Sequence, residues 1–234
     1  MLIFIKLILA HLIGDFVLQP TKWVVHKESN KVSSKYLYLH VLLHFVLYML
    51  LLWDLALWKM ALVIAIGHLG IDILKLYTDP MFKNKSIPFF IDQGLHVLLI
   101  YICVFYGDLS GRTVLLFQDM DWYLVTAIVF VTYPAAIIMG KVLEGMANQI
   151  ETDHKSLPNA GKYIGMIERL FVLIFIVIGR WEVIGLLIAA KSVFRFNDLK
   201  ERNNRKLTEY ILIGTLVSFG LAILAGLLYM SQYH

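Results

Sequence analysis

The chain has 234 residues, is 59% hydrophobic and 16% charged, and has a mean hydropathy of +0.73 with a net charge of +4. So apolar a composition excludes an ordinary soluble globular domain and predicts an integral membrane protein in contact with the lipid bilayer. A single cysteine, Cys103, excludes a disulfide framework and a thiolate metal site, and the modest positive charge reports orientation in a membrane rather than nucleic-acid binding.

The first apolar stretch, 1–19, has no basic cluster ahead of it and no small-residue cleavage site, so it reads as a retained first helix. Further stretches long enough to cross or nearly cross a bilayer fall at about 37–53, 60–77, 89–106, 122–140 and 208–230. The block 163–196 is too long for one span and is interrupted by "GRWE" at 179–182, which predicts a tight hairpin of two spans. That gives eight spans, with seven as the alternative. With eight, 17 of the 21 Lys and Arg residues share one side, and Lys59, Arg112 and Arg180 take the other, with Lys6 inside the first span. The positive-inside rule then puts the basic side in the cytoplasm and both termini outside. The expected fold is an all-α polytopic transmembrane helix bundle. It is read as one domain over 1–234, with a four-helix half at 1–106 and a supporting half at 122–230.

Residues four apart share a helix face, so such a pair can present two ligands to one point. The first four spans each carry one pair: His11 and Asp15 in "HLIGDFVLQ", His40 and His44 in "YLYLHVLLHF", His68 and Asp72 in "GHLGIDILK", and Asp92 and His96 in "FFIDQGLHVL". All four lie toward the cytoplasmic end of their span. An acid at the bilayer centre costs about 2.5–3.5 kcal/mol on insertion scales, so its default reading is functional. Imidazole and carboxylate together suit a divalent transition metal, Zn first, then Mn or Fe, and eight ligands are enough for one or two ions. Helix-borne pairs facing a bundle core are an established way to hold such ions.

The reaction this predicts is metal-dependent hydrolysis of a lipid-like phosphate or ester, with Asp15, Asp72, Asp92 and Lys75 as catalytic residues. Lys75 would meet an anionic amphiphilic substrate, and Gln19 and Gln93 would orient ligands. The alternatives are a metal-ion or proton-coupled transporter and a non-catalytic protein with a structural polar network. In the C-terminal half, Glu168 and Arg169 of "IERL" with Lys191 and Arg195 of "AAKSVFRF" are a candidate anion clamp. The run "ETDHK" at 151–155 reads as a solvated loop.

The stretches "HLIGDFVLQ", "DQGLH", "AGKYIGMIERL", "AAKSVFRF" and "EYILIGTLVS" resemble the bacterial membrane family catalogued as domain-of-unknown-function family 3307. That resemblance implies a membrane fold and supplies little function. A looser likeness, in the type of motif alone, is to bacterial inner-membrane metal-dependent hydrolases, which also set His and Asp in their first helices.

Overall fold

The computed structural model describes residues 1–107, 119–147, 159–202 and 205–233, with 194–202 and 205 as backbone only. All regular structure among them is helical: α1 (Leu2–Leu12), a π-helical turn (Ile13–Val17), α2 (Thr21–Asn30), α3 (Lys35–Leu52), α4 (Trp58–Thr78), α5 (Ser86–Phe105), α6 (Trp122–Val131), α7 (Tyr133–Ala147), α8 (Ala160–Val177), α9 (Trp181–Arg202) and α10 (Arg205–Met230). The chain divides into two compact units, Met1–Val129 and Phe130–His234.

In the first unit, α1 packs on α3 and α5, α3 on α4, and α4 on α5, closing a ring of four helices. One end of the ring is apolar. Ile3, Leu7, Leu52, Ala61, Ile64, Ile100 and Val104 are buried there around Tyr48. Leu42, Val46, Leu50, Val63, Ile66, Leu98 and Ile102 point outward and are exposed, an apolar exterior that suits lipid rather than water. The paired His and Asp side chains face inward at the other end of the ring, while Lys6 is buried in the apolar part with its Nζ 4.4 Å from the Trp122 ring. The protein is a membrane protein.

Five helices among the described residues are long and apolar enough to span a bilayer: Lys35–Leu52, Leu55–Met81, Ser86–Phe105, Trp122–Ala147 and Lys206–Met230. A sixth is available if Leu2–Val17 with Thr21–Ser33, bent by 84°, is one broken span. The first helix therefore departs from the expected continuous 1–19. Its α-helical part ends at Leu12, the π turn carries Asp15, and Pro20 forces the chain out of line because it has no N–H and restricts Gln19 before it. The expected loop 20–36 contains α2, which packs against α3.

In the second unit, α10 packs on α7 and α8, and α8 also meets α7 and α9. The block 163–196 is indeed broken in two. Gly179 at the break has φ +71°, a left-handed conformation that glycine adopts without strain. Neither piece is among the candidate spans of the described residues, and α8 holds three charged side chains, Lys162, Glu168 and Arg169.

Candidate metal centre

The eight paired residues come from four different helices and meet at one place. His11 closes α1 and Asp15 sits on the π turn, a local widening of the helix that is frequent at functional sites. His40 and His44 lie in the first half of α3, His68 and Asp72 in the second half of α4, and Asp92 and His96 in the first half of α5. In the up-and-down ring these positions fall at one end. All five histidines are 1% exposed or less, and Asp72 and Asp92 are also buried. The rings touch: centroids are 4.0 Å apart for His44 and His68, 4.0 Å for His68 and His96, and 5.1 Å for His11 and His96.

Asp15 is the focus. Its Oδ1 lies 2.9 Å from His44 Nε2, 3.2 Å from His40 Nε2 and 3.7 Å from His68 Nε2, and its Oδ2 is 4.0 Å from His11 Nε2. The Gln93 amide donates to Asp15 Oδ2 at 3.0 Å, and Gln93 Oε1 is 3.2 Å from His11 Nε2. The Gln19 amide nitrogen is 3.0 Å from His40 Nε2. Both glutamines thus contact members of the His/Asp pairs.

The other two acids have lysine partners. Lys75 Nζ donates to Asp92 Oδ2 at 2.8 Å. Lys27 Nζ donates to Asp72 Oδ2 at 2.9 Å, with both side chains 8% exposed. Lys27 is absent from the sequence-predicted site, where it counted only as a cytoplasmic charge; it arrives because α2 turns back over the bundle end. Gly14 is a second residue the sequence does not single out. A Cβ there would stand 2.4 Å from His44 Cε1, so only glycine lets the His44 ring approach the π turn.

Three sets of side chains have ligand atoms within 4.8 Å of one another: His11, Asp15, His44 and His68; His40, His68 and Asp72; and Asp15, Asp92 and His96. These groups could hold a metal ion. The first and second sets compete for His68, because one imidazole nitrogen serves one ion. The first and third share Asp15, whose two oxygens can serve two. His96 has the arrangement usual for a ligand: its Nδ1 meets the Asp92 carbonyl at 2.9 Å, which fixes the tautomer and leaves Nε2 buried with no hydrogen-bond partner among the described residues and Asp72 Oδ1 3.9 Å away.

The C-terminal candidates do not form the expected clamp. Lys191 Nζ is bonded to Glu168 Oε2 at 2.5 Å, which neutralises it. Arg169 bonds instead to the Val131 and Thr132 carbonyls, and the side chain of Arg195 lies outside the described residues, as does the run 151–155.

A helical membrane bundle with a buried His/Asp cluster is thus the class of protein that fold and site define. Within that class, residues 3–133 match the family described as protein of unknown function (DUF3307); this is more than half of the chain, and the chain belongs to that family. The match covers all four paired helices and ends before "AGKYIGMIERL", so the C-terminal runs that share the resemblance lie beyond it. No curated protein and no solved structure matches the chain, and the looser likeness to inner-membrane hydrolases has no support from them.

Proposed function

We propose that the protein holds one or two divalent transition-metal ions, Zn first, in the His/Asp cluster and hydrolyses an anionic amphiphile, a lipid-like phosphate or ester, in a bacterial inner membrane. One observation carries the metal. Asp15 alone of the three site acids has no ammonium or guanidinium partner among the described residues, and it has four imidazole Nε2 atoms within 4.0 Å. Three carboxylates against Lys27 and Lys75 leave one buried negative charge, which is costly in a bilayer unless a cation joins it. Mixed nitrogen and oxygen donors fit Zn, Mn or Fe(II).

The charge tally also bears on stoichiometry. One divalent ion carries the centre one unit past neutrality, and an anion, hydroxide or a substrate head group, restores it. Bound there, the ion would supply Lewis acidity and a water acidic enough to ionise near neutral pH. Asp72 or Asp92 would take up the proton that such a water loses, and Lys75, 30% exposed and bonded to Asp92 Oδ2, would turn from that carboxylate to hold an anionic head group. A cleft of about 160 Å³ between α4 and α5, walled by Leu74, Phe82, Ile91 and Leu95, has Lys75 and Asp92 among its lining. Its apolar walls suit an acyl or prenyl chain entering from the side. The apolar far end of the ring supports a blind site over a conducting path.

Elemental analysis of chelator-free protein tests the metal. About one or two transition-metal ions per chain are expected, with a drop of at least tenfold in His44→Ala and His68→Ala. Sub-stoichiometric metal in the wild type, with both variants as stable as the parent, would leave only a structural network.

A further inference from the structure

The second unit contains a basic cavity to which none of the chemistry above assigns a role. Arg169 on α8 is 2% exposed. Its Nε donates to the Val131 carbonyl at 2.6 Å, Nη2 to the Thr132 carbonyl at 3.2 Å, and Nη1 to Ser218 Oγ at 3.1 Å and Met139 Sδ at 3.3 Å. Those acceptors are all neutral. Four of the five guanidinium N–H groups are used, one is left, and the full positive charge is unmatched. The nearest acid in sequence, Glu168, is engaged by Lys191. The carbonyl end of α6 supplies about half a charge at best.

An open cavity of about 360 Å³ lies against this guanidinium, and Lys162, Gly165 and Tyr210 line it too. Lys162 has the ring of Tyr133 4.6 Å from its Nζ and makes no ion pair among the described residues. Two cations therefore face one cavity with no carboxylate of the described residues bonded to either. Gly165 keeps the guanidinium open to that space, since a Cβ there would stand 3.2 Å from Nη1. Charge balance in a low-dielectric site calls for an anion from outside. A group with several acceptor oxygens matches a guanidinium edge beside an ammonium better than a single-point halide does.

We propose that this cavity is a phosphate-binding site, with Arg169 and Lys162 as its cationic contacts, independent of the metal centre. The phosphate could be free or the head group of a lipid. Full-length protein in phosphatidylcholine nanodiscs is titrated with inorganic phosphate by calorimetry, and native mass spectrometry follows retained lipid after exchange into nanodiscs containing phosphatidic acid. Wild-type protein should bind one phosphate. Lys162→Met should weaken it about tenfold, and Gly165→Leu, which sets a side chain over the guanidinium, should abolish it, with helicity and metal content unchanged in both. Retention of phosphatidic acid in place of inorganic phosphate, with the same loss in the two variants, assigns the site to a lipid head group. Binding of neither ligand by wild-type protein, or equal binding in wild type and both variants, overturns the proposal. Lys162→Met, a change at an exposed position, keeps the test valid even where Arg169→Gln fails to fold.

Discussion

At the level of single residues, the centre depends on two that carry no ligand. Gly14 exists where it does because His44 occupies the space of its missing Cβ. Gly14→Ala should therefore displace the ring and destabilise the protein by about 1–3 kcal/mol, as overpacking does elsewhere, with metal content falling in step. Gly94→Ala, where a Cβ meets open space, should leave both unchanged; matched thermal melts and elemental analysis separate the two. Lys27 acts as the resident counter-ion of Asp72. Removing one partner of a buried pair costs about 3–5 kcal/mol, so Lys27→Met should melt earlier in chelator and regain stability when Zn is added, with tighter metal binding than the parent. Weaker Zn binding in that variant would show that the lysine supports the cation rather than competing with it. The ligand pairs were legible in the sequence because i,i+4 spacing and scarcity of acids in apolar runs are local signals. Gly14 and Lys27 were not, because their roles arise only when helices distant in sequence meet.

At the level of elements, the spans α3, α4 and α5 were readable to within a few residues from hydropathy alone, and the hairpin at 179–182 from one short polar break. The first helix was not. Nothing local distinguishes a π turn from an α turn over "IGDFV", and α2 has the composition of a surface loop, yet it folds over the bundle end with Trp23 stacked on Tyr36 at 5.5 Å and Lys31 bonded to the Leu76 carbonyl at 2.6 Å. The expected orientation of these elements rests on the positive-inside rule, which would place the proposed metal centre toward the cytoplasm. In a Cys103→Ser background, a membrane-impermeant thiol reagent applied to spheroplasts should label Asp54→Cys, between α3 and α4. Asn84→Cys, between α4 and α5, should react only after lysis. The opposite pattern would invert the topology and move the centre to the outer half of the membrane.

At the scale of the whole molecule, the question is whether the centre turns over a substrate or passes an ion. The first unit closes one end of its ring with mostly aliphatic side chains, where Lys6 is the buried cation among the described residues, and gathers its His/Asp pairs at the other, and the cleft beside Lys75 opens sideways between α4 and α5. A site built this way is reached from the bilayer or the nearer aqueous face, and conduction would need a string of polar groups through the far half, where Lys6 under the Trp122 ring stands among Ile3, Leu7, Leu52, Ile64 and Ile100. Asp15→Asn keeps the size of the side chain and removes the charge that has no lysine partner. Metal occupancy and turnover should both fall with it, by about tenfold or more. Lys75→Met leaves every proposed ligand in place, so metal content should stay at the parent level while KM for an anionic amphiphile rises. A transporter predicts the reverse split: Asp15→Asn would abolish Zn or Mn flux into sealed liposomes, and Lys75→Met would have no substrate to release. Metal-loaded protein should therefore be offered phospholipids, polyprenyl phosphates and lipid esters in one series and a metal gradient in another. Cleavage without flux supports the hydrolase; flux with no cleavage anywhere in the panel would make the same residues a permeation site and remove Lys75 from the chemistry.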